Sequence, residues 1–109
     1  MPPKERRKAR RRRVLFSGLV FVPETHTTLD CSIKDISQTG ARIEIQSDTP
    51  VQTRFFLINV KNSVAYDVQS VRRVGREIGL KMLRSIPLSE ASDPDARQLR
   101  RLLVERLHR

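Results

Sequence analysis

Between Val14 and about Arg84 the hydrophobic residues recur with the period of extended strands. The run Val14-Leu15-Phe16-Ser17-Gly18-Leu19-Val20-Phe21-Val22 is β-branched and aromatic, and it stops at Pro23-Glu24. Thr27 to Ile36 reads as a second extended stretch, with Thr28, Cys31 and Ile33 set among polar neighbours. Ala41, Ile43 and Ile45 alternate with Arg42 and Glu44, the pattern of a half-buried strand, and Asp48-Thr49-Pro50 breaks it. Arg54 to Val60 reads as a core strand that turns at Lys61-Asn62-Ser63. Val64, Tyr66 and Val68 alternate with Ala65, Asp67 and Gln69, but Val71 falls out of phase, which predicts a bulge near Ser70. Gly75-Arg76 turns the chain, and Ile78, Leu80 and Met82 complete the series. Six short strands with no helix between them predict a small antiparallel barrel or sandwich over residues 14–84. Unpaired strand edges are costly in so small a sheet, so closure into a barrel is favoured.

The pattern changes at residues 93–108. Asp93-Pro94-Asp95 combines a capping carboxylate, proline at the first helical position and an acid at the positive end of the helix dipole. Leu99, Leu102, Leu103 and Leu107 then follow at helical spacing, with Arg97, Arg100, Arg101 and Arg106 mostly off that stripe. A helix of about 15 residues is marginal alone, so the stripe must dock on the barrel mouth, a second protomer or another protein. Monomer and homodimer are both compatible with this pattern.

Charge divides the chain in the same places. Over 109 residues, 22 Lys and Arg against 12 Asp and Glu give a formal net charge of +10. Residues 1–13 carry net +7, residues 96–109 net +4, and residues 14–95 net −1. The expected organisation is a single domain: a flexible basic arm at 1–13, a nearly neutral barrel and a basic C-terminal helix. The lone cysteine, Cys31, excludes an internal disulfide framework and a Cys-based zinc site, and reads as a small buried hydrophobe in a reduced, cytoplasmic setting. No run reaches the roughly 18–20 apolar residues that cross a bilayer. The basic start followed by Val14–Val22 imitates a signal peptide, but Ser17 and Gly18 interrupt the run and no small-residue cleavage site precedes Pro23.

Catalytic signatures are missing from the sequence. It has no nucleophile elbow, no phosphate-cradling glycine loop and no His, Cys or carboxylate cluster at metal spacing. His26 and His108 read as solvated surface imidazoles. The expectation is therefore a non-enzymatic protein without cofactor or metal. Two features remain. Glu5-Arg6-Arg7-Lys8-Ala9-Arg10-Arg11-Arg12-Arg13 is, read plainly, an arm that attracts polyanions or the solvated face of a helix. Asp35-Ile36-Ser37-Gln38-Thr39-Gly40, read plainly, is a turn in which Asp or Ser bonds local backbone and glycine supplies a positive φ.

Taken together and in order, a basic arm with Arg-x-x-x-Arg spacing and an Asp-x-Ser-x-x-Gly segment about two strands later resemble the PilZ family of small bacterial β-barrels that bind the second messenger cyclic di-GMP. The continuation Ala41-Arg42-Ile43-Glu44-Ile45, the closing stretch 74–82 and a C-terminal helix are also similar to that family. The resemblance covers nearly the whole chain and implies a cyclic di-GMP receptor that orders its arm on binding and relays the signal to a downstream protein. It implies ligand contacts from Asp35, Ser37 and Gly40 and from one arginine pair. Arg6/Arg10 and Arg7/Arg11 both have the spacing; the lead-in Glu5-Arg6-Arg7 favours Arg7/Arg11, whereas counting back from the first strand would put the last arginine at Arg13, with Ala9 at its partner's position. Arg72 is a further candidate for stacking beside the ligand, against the plain alternative of a solvated arginine paired with an acid.

The chemistry is consistent with that implication. Guanidinium groups fork onto phosphate oxygens, stack on purines and donate to guanine O6 and N7. A carboxylate such as Asp35 can accept from guanine N1–H and its amino group, and the Ser37 hydroxyl lies two residues on, on the same side of an extended segment. Two other readings compete. One is a nucleic-acid-binding basic module, although Tyr66 is the only Tyr or Trp and no stacking platform is evident. The other is a PilZ-like interaction domain that no longer binds the nucleotide.

Overall fold

The alternating segments form six strands and the C-terminal stripe forms a helix: β1 (Arg12–Val22), β2 (Thr27–Ile36), β3 (Gly40–Ile45), β4 (Arg54–Asn59), β5 (Val64–Val74), β6 (Glu77–Pro87) and α1 (Pro94–Leu107). The computed structural model describes residues 12–48, 50–90 and 92–108, and for residues 12–14 the backbone. The strands close into an antiparallel barrel in the order β1-β2-β3-β6-β5-β4, with β4 returning to β1. Every strand therefore has two neighbours and no edge is left open. The arm expected over 1–13 reaches the described residues only at Arg12 and Arg13, which already belong to β1. The barrel extends beyond residue 84 because β6 continues to Pro87, pairing Ala65 with Ile86 and Val64 with Pro87.

Two apolar clusters hold the fold. Val20, Val22, Cys31, Ile33, Ile43, Leu57, Val68 and Ile78 are among those filling the barrel interior. Leu19, Phe21, Ile58, Ala65, Ile86 and Leu88 face outward and are covered by Ala96, Leu99 and Leu103 of α1. Residues 19–22 are all buried because alternate side chains face the interior and the helix. Of the three docking possibilities for the stripe, the chain's own barrel is the one realised. Leu102 is half-buried and Leu107 is 60 % exposed, because the last turn projects beyond the apolar cluster and Ala96 takes the fourth place. Asp93 caps the helix, accepting from the backbone N–H of Asp95 at 2.9 Å and of Ala96 at 3.4 Å. Arg84 of β6 bridges to Asp93 and Asp95, and Arg106 donates to Asp30 at 2.7 Å.

Four register shifts interrupt the ladders. Extra residues fall between Arg13 and Phe16 in β1, between Ile33 and Asp35 in β2, between Ser70 and Arg72 in β5, and between Arg84 and Met82 in β6. The shift in β5 is the bulge expected from the phase break at Val71. Bulges turn side chains to the opposite face, which accounts for the exposure of Leu15, Val71 and Leu83. Turns fall where expected: Ser63 has φ 57° after Lys61-Asn62, and Gly75 has φ 62° between β5 and β6.

Candidate functional site

The bulge in β2 determines where Asp35 points. Ile33 pairs with Ile43 inside the barrel, and with strict alternation Asp35 would follow it into the apolar core. Lys34 is the inserted residue, so Asp35 pairs instead with Arg42 on the outer face. There the Asp35 carboxylate, 2 % exposed, accepts from Arg42 Nη2 at 2.9 Å. On its other side Asp35 has Arg13 of β1 as its register partner. The strand that carries on from the basic arm therefore enters the barrel beside the Asp-x-Ser-x-x-Gly segment.

Ser37 and Gly40 close the β2–β3 turn. The Ser37 N–H donates to the Gly40 carbonyl at 2.8 Å, and the Ser37 hydroxyl donates to the same carbonyl at 3.2 Å. That hydroxyl accepts from the N–H groups of Thr39 and Gly40 at 3.3 and 3.2 Å. The plain reading of a turn built by Ser37 is thus realised. Its account of Gly40 is corrected, because the glycine with positive φ is Gly75. Gly40 is required by close approach instead: a Cβ there would lie 2.8 Å from the Leu80 carbonyl oxygen of β6.

Beside this turn, the outer faces of β3, β5 and β6 enclose a cleft of about 480 Å³. Gly40 and Gly79 contribute bare backbone, Val71 and Val74 apolar walls, and Arg42, Arg72 and Glu77 the charges. Arg72 pairs with Gly79 in register and is exposed, so this candidate reaches the cleft. Arg42 is shared between Asp35 and Glu77, with Nη1 3.5 Å from Glu77 Oε1, and its buried Nε has no hydrogen-bond partner among the described residues. Lys34 pairs with Glu77 at 3.1 Å and Glu44 at 3.3 Å. The hydrogen bond from Lys34 chiefly holds the Glu77 carboxyl below the usual range, against partial desolvation and with the charge of Arg42 assisting. Lys34 is correspondingly raised by its hydrogen bonds to Glu77 and Glu44. An anionic, planar ligand would meet two guanidinium groups, one ionised carboxylate and a floor without side chains.

Asp35, Ser37, Gly40 and Arg72 are thus gathered around one turn and its adjoining cleft. Arg6, Arg7, Arg10 and Arg11 lie outside the described residues. Arg42, Glu77 and Gly79 were not singled out in the sequence, because only the β3–β6 and β5–β6 registers bring them together. The alternation of Arg42 with Ala41 and Ile43 did mark it as outward-facing. Away from the cleft, His26 is exposed with its ring edge-on to Phe21, and Cys31 is buried, its thiol pushed up to about 12 by burial and then by the charge of Asp30. Among the described residues no group of His, Cys, Asp and Glu is placed to hold a metal ion, and no helix is long and apolar enough to cross a membrane.

The family model of the PilZ domain matches residues 5–105, from the start of the arginine-rich segment almost to the end of the helix. No curated protein matches the chain.

Proposed function

Because the chain belongs to the PilZ domain family, whose members generally bind cyclic di-GMP, we propose that it is a receptor for this second messenger and acts by binding rather than by catalysis. The observation that carries this reading is the register of β1 on β2, which sets Arg13 opposite Asp35, the partner of the cleft-lining Arg42. The arginines before Arg12 then continue from a point beside Asp35, Ser37 and Gly40. In this reading an arginine pair, Arg7/Arg11 or Arg6/Arg10, grips the phosphates and one guanine, while Asp35 and its partner Arg42 meet the ligand from the barrel. Ser37 and Gly40 hold the turn at the right height, and Arg72 closes the far side by stacking.

Ligand contacts of this kind must exceed the entropy lost in ordering a basic arm, which makes arm ordering a natural signal. The relay to a partner runs through β6, which carries Glu77 and Gly79 at the cleft and Arg84 and Ile86 beneath α1. Calorimetric titration with cyclic di-GMP tests the proposal. Saturable binding is expected, with Arg7→Ala, Arg11→Ala and Asp35→Ala each weakening it by about 1–3 kcal/mol, the scale of a lost charge-assisted bond. No saturable heat at high micromolar ligand would overturn it.

A further inference from the structure

Cyclic di-GMP carries two guanines, and the arm with the Asp35 turn accounts for one of them. We infer that the cleft between β3, β5 and β6 receives the second guanine, with Glu77 as the residue that selects guanine over adenine. The inference rests on the receptor reading above and adds to it a base-reading carboxylate.

Among the described residues lining the cleft, Glu77 is the single acid; it lies two residues along β6 from Gly79, which Arg42 and Arg72 flank in register. A guanine Watson–Crick edge presents two parallel donors, N1–H and the amino group, beside the acceptor O6. An ionised carboxylate can accept both donors at once, and the neighbouring Arg42 Nη1, 3.5 Å from Glu77 Oε1, is a donor for O6. Adenine offers one amino group there, and its N1 lone pair faces the carboxylate. Glu77 is an acceptor at neutral pH, as an ordinary carboxylate is, and the hydrogen bond from Lys34 lowers its carboxyl further without being needed for that charge. Its bonds to Lys34 and Arg42 leave further lone-pair sites on its two oxygens.

The rest of the cleft suits a flat base. Gly79 has no side chain, and a Cβ built on it would meet nothing closer than Arg72 Cβ at 3.8 Å, so the fold does not require glycine for space there. Val71, turned outward by the β5 bulge, supplies an apolar wall, and Val74, 65 % exposed, supplies another. Exposed valines on a bare-backbone floor otherwise cost free energy in water, and a purine face covering them removes that cost.

The test is calorimetric titration of the full chain and of its Glu77→Gln and Lys34→Met variants with cyclic di-GMP and cyclic di-AMP. The wild type should prefer the guanine ligand. Glu77→Gln should lose about tenfold of that preference, the scale of one bidentate base contact, chiefly through weaker guanine binding. Lys34→Met breaks the same ion-pair network but keeps the carboxylate, and should retain the preference. An unchanged preference in Glu77→Gln, or an equal loss in Lys34→Met, would overturn the base-reading role while leaving the receptor reading standing. A wild type that binds neither dinucleotide would overturn both.

Discussion

Two glycines face the same cleft, and the structure assigns them opposite sensitivities. A Cβ at Gly40 would lie 2.8 Å from the Leu80 carbonyl oxygen, a backbone atom that cannot swing aside. Restoring an ordinary contact of about 3.4 Å would part β3 from β6 by roughly 0.6 Å beside the Gly40–Lys81 pair and the 2.9 Å bond from Met82 N–H to the Thr39 carbonyl. Overpacking of this kind costs about 1–3 kcal/mol, of which about 0.5–1 kcal/mol is returned because alanine loses less backbone entropy than glycine. Gly40→Ala should therefore destabilise by about 1–2 kcal/mol. Gly79→Ala meets its nearest neighbour at 3.8 Å and keeps the entropic gain, so its stability should equal or exceed that of the wild type. A net gap of about 2 kcal/mol corresponds to roughly 10 °C between the melting temperatures of the two variants in a domain of this size. Thermal unfolding followed by circular dichroism measures that gap directly. Equal melting temperatures, or a less stable Gly79→Ala, would refute the close-approach argument. Binding should rank the other way for Gly79→Ala: the variant is stable but fills the floor of the cleft, so its affinity for cyclic di-GMP should fall.

Three further outcomes follow from the packing and charge of the barrel. Leu99→Ala removes a side chain that is 1 % exposed between α1 and the barrel and should cost about 2–5 kcal/mol in urea unfolding. Cys31 is buried with its thiol at about 12, so native protein should resist iodoacetamide at pH 8 and react once urea unfolds it; equal rates in the two states would contradict its placement. Glu77 is held below the ordinary carboxylate range chiefly by Lys34, and Asp93 is also lowered, because its hydrogen bonds from Arg84, Asp95 N–H and Ala96 N–H outweigh desolvation. The folded chain thus binds fewer protons than the unfolded chain just below pH 4.5; the stabilisation from both groups is present at neutral pH and lost as pH falls through their lowered values. The urea midpoint should drop on acidification, and Glu77→Gln should flatten that drop.

The strands were legible wherever one face is wet. In β3 the alternation of Ala41, Ile43 and Ile45 with Arg42 and Glu44 gave both the element and its inward side, and the phase break at Val71 marked its bulge. The bulge at Lys34 left no such mark. Ile33 and Asp35 keep a spacing of two in the sequence, and only pairing with Ile43 and Arg42 shows that the spacing spans an inserted residue. The outward aim of Asp35 therefore could not be read from its own segment. Residues 19–22 likewise show no alternation, because the helix that buries their outer side comes from the far end of the chain. Glu77 meets Arg42 and Lys34 from 35 or more positions away, and only the pairing of β3 with β6 in the closed strand order brings it within 4 Å of them.

The helix offers a last test of which force holds it. Arg84 reaches both Asp93 and Asp95, and Arg106 reaches Asp30, so charge pins α1 near both ends. These groups are substantially exposed; an exposed pair such as Arg106–Asp30 is worth about 0.2–1 kcal/mol and is screened by salt. Beneath the middle of the helix, Ala96, Leu99 and Leu103 are buried against Phe21, Ile58 and Ile86. Full burial of one leucine contributes about 1.5–3 kcal/mol, so two leucines exceed an exposed pair severalfold. Docking is then apolar in strength, and the ion pairs mainly fix the direction of the helix. Raising sodium chloride from 0.1 to 1 M should leave most of the stability intact, and Arg106→Met should cost far less than Leu99→Ala. A collapse in high salt, or an Arg106→Met cost equal to that of Leu99→Ala, would show that charge carries the docking instead.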